Sequence, residues 1–62
     1  MKNNDQKKPT ITLPPNVFVE ENPEIGYEYY EINNPKPLTQ HPVDNDSIRK
    51  LVWQIWKKRH ER

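Results

Sequence analysis

The chain has no cysteine, a single glycine, a single serine and no long apolar run. Without cysteine there is no disulfide to staple a small domain and no thiolate for metal binding or nucleophilic catalysis; a reducing compartment fits this but is not proved by it. Ser47 stands alone next to a run of aspartates, where capping a helix is its expected task, so no serine-based catalytic constellation is available. No segment approaches the roughly 20 apolar residues that a membrane span needs. The opening stretch "MKNNDQKKPT" is basic and polar with no apolar region after it, so a secretory signal is not expected and the cytoplasm is the expected location.

Also scarce is apolar content. Of the 62 residues 31% are hydrophobic and another 31% charged, and seven are proline. That suffices for one small domain near the lower size limit for independent folding. A chain so supplied needs good packing, self-association or a partner.

What charge there is has been segregated. From Pro9 to Pro35 there is no Lys or Arg, while Glu20, Glu21, Glu24, Glu28 and Glu31 all fall in that interval. The last sixteen residues hold six Lys/Arg against Glu61 alone. A net charge of +1 therefore conceals an acidic middle and a basic end.

The order of signals divides the chain into a flexible polar lead over residues 1–10 and a single small domain over 11–62. Within the latter, 11–43 read as extended and 46–61 as helix. "VFVEE" and "YEYYEI" are β-favouring runs on either side of "NPEIG", where Asn-Pro opens a turn and Gly26 can take positive φ. A hairpin pairing Val17–Glu21 with Tyr27–Ile32 follows, with Tyr30 and Ile32 on one face and Tyr27 and Tyr29 on the other. "NNPKPLTQHPV" carries three prolines in eleven residues and reads as polyproline or irregular, with a third short strand around Leu38–Gln40 as an option.

Helix begins at "DNDS", where Asp46 or Ser47 can serve as the cap; the sequon at Asn45–Ser47 is read as part of that cap rather than as a glycosylation site. Ile48, Leu51, Val52, Ile55 and Trp56 recur at helical spacing over an arc of about 140°. Lys57, Lys58 and Arg59 suit the negative end of the helix dipole. The fold class expected is thus small α+β: an antiparallel hairpin of two or three strands packed on one C-terminal amphipathic helix, with a flexible N-terminus.

Trp53 falls outside the stripe, among Arg49, Lys50 and Lys57. Two readings compete. Either another part of the chain wraps over the indole, or it is an exposed aromatic anchor rimmed by cations. The second makes Trp53, Arg49, Lys50 and Lys57, together with Tyr27 and Tyr29 of the acidic segment, the candidate partner-binding residues. His41 and His60 are far apart with no third ligand, so no metal site and no cofactor are expected, and a chain this short can hardly enclose a catalytic pocket. The expected function is non-enzymatic: a protein-binding factor, inhibitor, adaptor or accessory subunit, whose partner is another protein or a second copy of the chain. Nucleic-acid binding through the same basic helix is the alternative, and membrane binding ranks below it.

One stretch, "LPPNVFVEENPEIGYEYYEINNPKPLTQHP", resembles a WW domain in its "LPP" at 13–15, in Gly26 followed by Tyr29–Tyr30, and in Asn33 and Thr39–Gln40. It departs from that family at Val17 and His41, which stand at the positions of its core and ligand-stacking tryptophans. The resemblance implies a degenerate peptide-binding module in which Tyr29 lines the ligand groove and Tyr30 belongs to the core.

Overall fold

The computed structural model describes residues 9–61; most of the expected polar lead, residues 1–8, lies outside them. Three strands, β1 (Val17–Asn22), β2 (Gly26–Glu31) and β3 (Thr39–His41), precede one helix, α1 (Asp46–Arg59). The strands form an antiparallel sheet in the order β1-β2-β3, with the helix packed on one side. The α+β class and the optional third strand are both present.

Local chemistry explains the β1–β2 hairpin. Pro23 sets the first bend, and the Asn22 carboxamide oxygen accepts from the N–H groups of Glu24 (2.8 Å) and Ile25 (3.3 Å). Gly26 then closes the loop at φ +126°. This is a backbone position that only glycine takes without strain, and space forbids a side chain as well: a Cβ there would lie 2.5 Å from Pro42 Cα. Gly26→Ala is therefore expected to cost about 2 kcal/mol or more. In a domain of this size that lowers the melting midpoint by roughly 10 °C, read by circular dichroism; an unchanged midpoint would refute the turn assignment.

Register then settles which residues share a face. Phe18 pairs with Tyr30, Val19 with Tyr29, Glu20 with Glu28 and Glu21 with Tyr27. Alternation puts Val17, Val19, Tyr27 and Tyr29 on the helix side and Phe18, Glu20, Glu28 and Tyr30 on the other. The core is Tyr29, Leu38 and Val52, with Leu13, Val17, Val19, Tyr27, Ile48, Ile55 and Trp56 packed around it. Leu38 reaches it because its N–H donates to the Tyr29 carbonyl at 2.6 Å, which draws the proline-rich connection back onto β2.

The helix obeys the expected periodicity with two corrections. Its N-cap is Asn45, whose side-chain oxygen accepts from the Ile48 N–H at 3.1 Å, rather than Asp46 or Ser47. Asp46, one residue inside the helix, is thereby released for another task. Leu51, expected in the buried stripe, is only half-buried and does not join the core, because the helix presents Ile48, Val52, Ile55 and Trp56 to the sheet instead.

Candidate functional site

The flank of the helix next to the core stripe is occupied by the chain itself. Asp46, Arg49 and Trp53 stand at i, i+3 and i+7, within an arc of about 60°, and together they grip the extended segment Thr10–Thr12. The Asp46 carboxylate accepts from the Thr10 hydroxyl (2.7 Å) and from the N–H groups of Thr10 (2.7 Å) and Ile11 (3.2 Å). Arg49 Nη1 donates to the Ile11 carbonyl at 3.1 Å, and the Trp53 indole N–H donates to the Thr12 carbonyl at 2.7 Å. The hydrogen bond from the Thr10 hydroxyl, followed by those from the two backbone N–H groups, holds the Asp46 carboxyl below its ordinary range.

Beneath this strap lies a polar hub at Asp44. Arg49 Nε and Nη2 donate to its two oxygens at 2.9 Å each, a bidentate pair, and the Tyr29 hydroxyl donates to the same carboxylate at 2.5 Å. The Arg49 hydrogen bonds lower the Asp44 pKa and, reciprocally, Asp44 raises that of Arg49. Burial, followed by the hydrogen bond to Asp44, pushes the Tyr29 phenol well above its ordinary value. Sheet, pre-helix loop, helix and N-terminal strap thus meet at one guanidinium.

These contacts relocate several candidates. Trp53 and Arg49 are half-buried and bonded within the chain, so neither stands free as a partner anchor; the wrapping reading of Trp53 is the observed one, and the segment that wraps it is Thr10–Thr12. Tyr29 has no exposed surface and cannot touch a partner in this fold. Tyr27 is half-buried on the helix side of β2, opposite His41, beside a shallow depression lined also by Glu21, Asn22, Pro23, Gly26 and Pro42. Lys50 and Lys57 are exposed, and no ion pair involves either among the described residues. The far end of the helix is tied down separately: Glu31 pairs with Arg59 (3.4 Å) and with His60 (2.7 Å), whose ring lies 4.5 Å from that of Trp56.

The open surface is instead the sheet face turned away from the helix. There the rings of Phe18 and Tyr30 stack at a centroid distance of 5.8 Å and 17° between planes. Phe18 remains 40% exposed and Ile32 52%. Just past the last ladder pair the Ile32 N–H donates to the Asn16 carbonyl at 2.8 Å, and the two-residue period of β2 carried one step further would set Ile32 on the side of Tyr30. Glu28 is clamped beside the rings: Gln40 Nε2 donates to one of its oxygens (2.5 Å) and the Tyr30 hydroxyl to the other (3.2 Å). The Gln40 hydrogen bond, followed by one from Asn22, keeps the Glu28 carboxyl below its usual range, while desolvation, followed by the bond to Glu28, raises the Tyr30 phenol. Phe18, Ile32 and Gln40 were absent from the sequence-derived site, though the hairpin register alone would have set Phe18 opposite Tyr30.

Among the described residues no group of three His, Asp or Glu side chains is placed to hold a metal ion, and no helix is long and apolar enough to cross a membrane. The resemblance to a WW domain fails at its site residues. It implied Tyr29 in the groove and Tyr30 in the core, whereas the fold buries Tyr29 fully on the helix side and leaves Tyr30 half-buried on the outer face. No protein-family model, curated sequence or solved structure matches the chain.

Proposed function

We propose that the chain is a small, non-enzymatic protein-binding factor of the cytoplasm, an inhibitor, adaptor or accessory subunit, that docks through the outer face of its acidic sheet. The observation that supports this most directly is the Phe18–Tyr30 stack, with Phe18 exposed and Tyr30 half-buried beside the exposed Ile32, on a face that no other element of the described residues covers. A chain with three fully or nearly fully buried core residues has little apolar surface to spare. Leaving a Phe and an Ile open is intelligible when something else covers them. The helix carries less of the reading than its sequence suggested, since Trp53 and Arg49 are committed to the N-terminal strap.

A photo-crosslinking residue placed at position 18 of the full chain tests the proposal in an extract of the source cell. It is expected to capture a discrete protein, and Tyr30→Ser is expected to abolish capture while leaving the circular dichroism spectrum in place. Capture only from a crosslinker at position 57 would return the docking site to the helix. Crosslinks to RNA or DNA from position 57 would support the alternative, nucleic-acid binding through the exposed Lys50, Lys57 and Lys58.

A further inference from the structure

The outer sheet face combines two features that the protein itself does not reconcile. Glu20 and Glu28 are direct cross-strand partners on it, an arrangement in which like charges destabilise the pair. No Lys, Arg or His pairs with either among the described residues, whose ion pairs all lie elsewhere, at Asp44–Arg49 and at Glu31 with Arg59 and His60. Next to these two carboxylates stands the Phe18–Tyr30 stack, two offset rings within the geometry that attracts a cation to an aromatic face. Gln40 and the Tyr30 hydroxyl fix the orientation of the Glu28 carboxylate before any partner arrives, so little side-chain freedom is left to lose on binding.

Resting on the protein-binding reading above, we propose that this face takes an extended basic segment of the partner, one whose Arg or Lys lies over the Phe18–Tyr30 stack between the carboxylates of Glu20 and Glu28 and whose neighbouring apolar side chain covers Ile32. The charge pattern selects the occupant. A cation relieves the Glu20–Glu28 repulsion, contacts the negative faces of the rings and satisfies carboxylate lone pairs that Gln40 and Tyr30 leave open. A neutral peptide would do none of this, and an acidic one or a nucleic-acid backbone would add a third like charge. Among basic side chains the planar guanidinium is the better fit, because it stacks on a ring while donating sideways to a carboxylate.

The test uses the full chain and three fluorescein-labelled eight-residue peptides alternating valine with arginine, glutamine or glutamate, read by fluorescence anisotropy. The arginine peptide is expected to bind at least roughly tenfold more tightly than the glutamine peptide, with affinity falling as salt rises, and the glutamate peptide not at all. In the double variant Glu20→Gln, Glu28→Gln the advantage of arginine over glutamine should disappear. That variant gives up the charge-assisted hydrogen bonds that Glu28 accepts from Gln40 and Tyr30, so it should melt somewhat lower than the parent, and the peptides are compared well below both midpoints. Glu20→Lys alone, at an exposed position, should shift the preference toward the glutamate peptide. Equal binding of the arginine and glutamine peptides, both lost in Phe18→Ser, would overturn the basic-segment inference while leaving the sheet face as a protein-docking site. Undiminished arginine selectivity in the double variant would overturn it too. Absence of binding by every peptide, combined with no protein captured at position 18, would bring down the docking proposal itself. Sedimentation that reveals a concentration-dependent dimer lost in Phe18→Ser would assign the face to a second copy of the chain instead.

Discussion

Val52→Asp is expected to abolish cooperative folding, while Leu51→Asp one residue earlier leaves a folded protein. Val52 has no exposed surface and joins Tyr29 and Leu38 to form the centre of the core. Replacing it forfeits about 1.5–3 kcal/mol of apolar burial and sets a carboxylate with no partner among apolar side chains. A domain of this size without staples has only about 3–5 kcal/mol in total, so the sum exceeds what is available. Leu51 is half-buried at the margin of the stripe and outside the core, where an aspartate can turn to water. Its substitution should lower the melting midpoint by several degrees and no more, on the order of 1 kcal/mol. Far-ultraviolet circular dichroism and amide proton dispersion distinguish the two. A Val52→Asp protein that melts within a few degrees of the parent would mean that the helix does not pack as described.

The second large effect is expected at Asp44. Asp44→Ala leaves the Arg49 guanidinium without its bidentate acceptor and the hydroxyl of Tyr29 without a partner at a fully buried residue. The Arg49 side chain keeps 18% of its surface exposed, so water recovers part of its loss; the Tyr29 hydroxyl has no such recourse. About 1–3 kcal/mol for an orphaned buried donor, plus the lost charge-assisted pair, gives roughly 3 kcal/mol. At this chain length that corresponds to a fall of about 12–24 °C in the melting midpoint. Tyr29→Phe, which removes the hydroxyl and keeps the ring, should cost only about 1 kcal/mol.

The same group supplies the pH dependence. Its carboxyl is held below the ordinary value of 3.8, chiefly by Arg49, so the folded protein binds this proton less readily than the unfolded chain. The contribution is accordingly complete above about pH 5 and is lost as pH falls through 3.8 toward the folded value. Asp46 and Glu28, also lowered, act with the same sign. Urea titrations at pH 6, 4 and 3 should show stability declining on acidification, and Asp44→Asn should flatten the decline by up to about 1.4 kcal/mol per pH unit. An acid slope identical in parent and Asp44→Asn would show that Asp44 does not carry it.

Much of this architecture is written in local sequence signals. "NPEIG" dictates the hairpin turn, since the Asn22 side chain, the fixed φ of Pro23 and the freedom of Gly26 all act within five residues. The helix is equally legible, because periodic apolar residues, a capping cluster before them and cations at the end need no distant partner to be recognised. Once the register of the hairpin is granted, the separation of Tyr27 and Tyr29 from Tyr30 and Ile32 follows from the two-residue period alone.

Which of those two faces would meet the helix was not decided locally. Each carries aromatic and β-branched residues, Val17, Val19, Tyr27 and Tyr29 on one side and Phe18, Tyr30 and Ile32 on the other. The choice depends on contacts made across the chain: Leu38 folding back on β2, Val52 filling the space between, and Asp44 receiving the Tyr29 hydroxyl from 15 residues away. The cap, expected at Asp46 or Ser47, was likewise not decided locally, since Asn45 is an equally competent residue type. It resolved to Asn45 in a fold where Asp46 is claimed by Thr10, 36 residues earlier. Trp53 shows the limit most clearly. Its sequence neighbours Arg49, Lys50 and Lys57 describe a cationic surface anchor, yet its indole N–H is used by the Thr12 carbonyl, 41 positions away. A hydrogen bond to a backbone carbonyl leaves no trace in side-chain composition, because every residue has that carbonyl, and so only the tertiary structure could tell which segment would supply it.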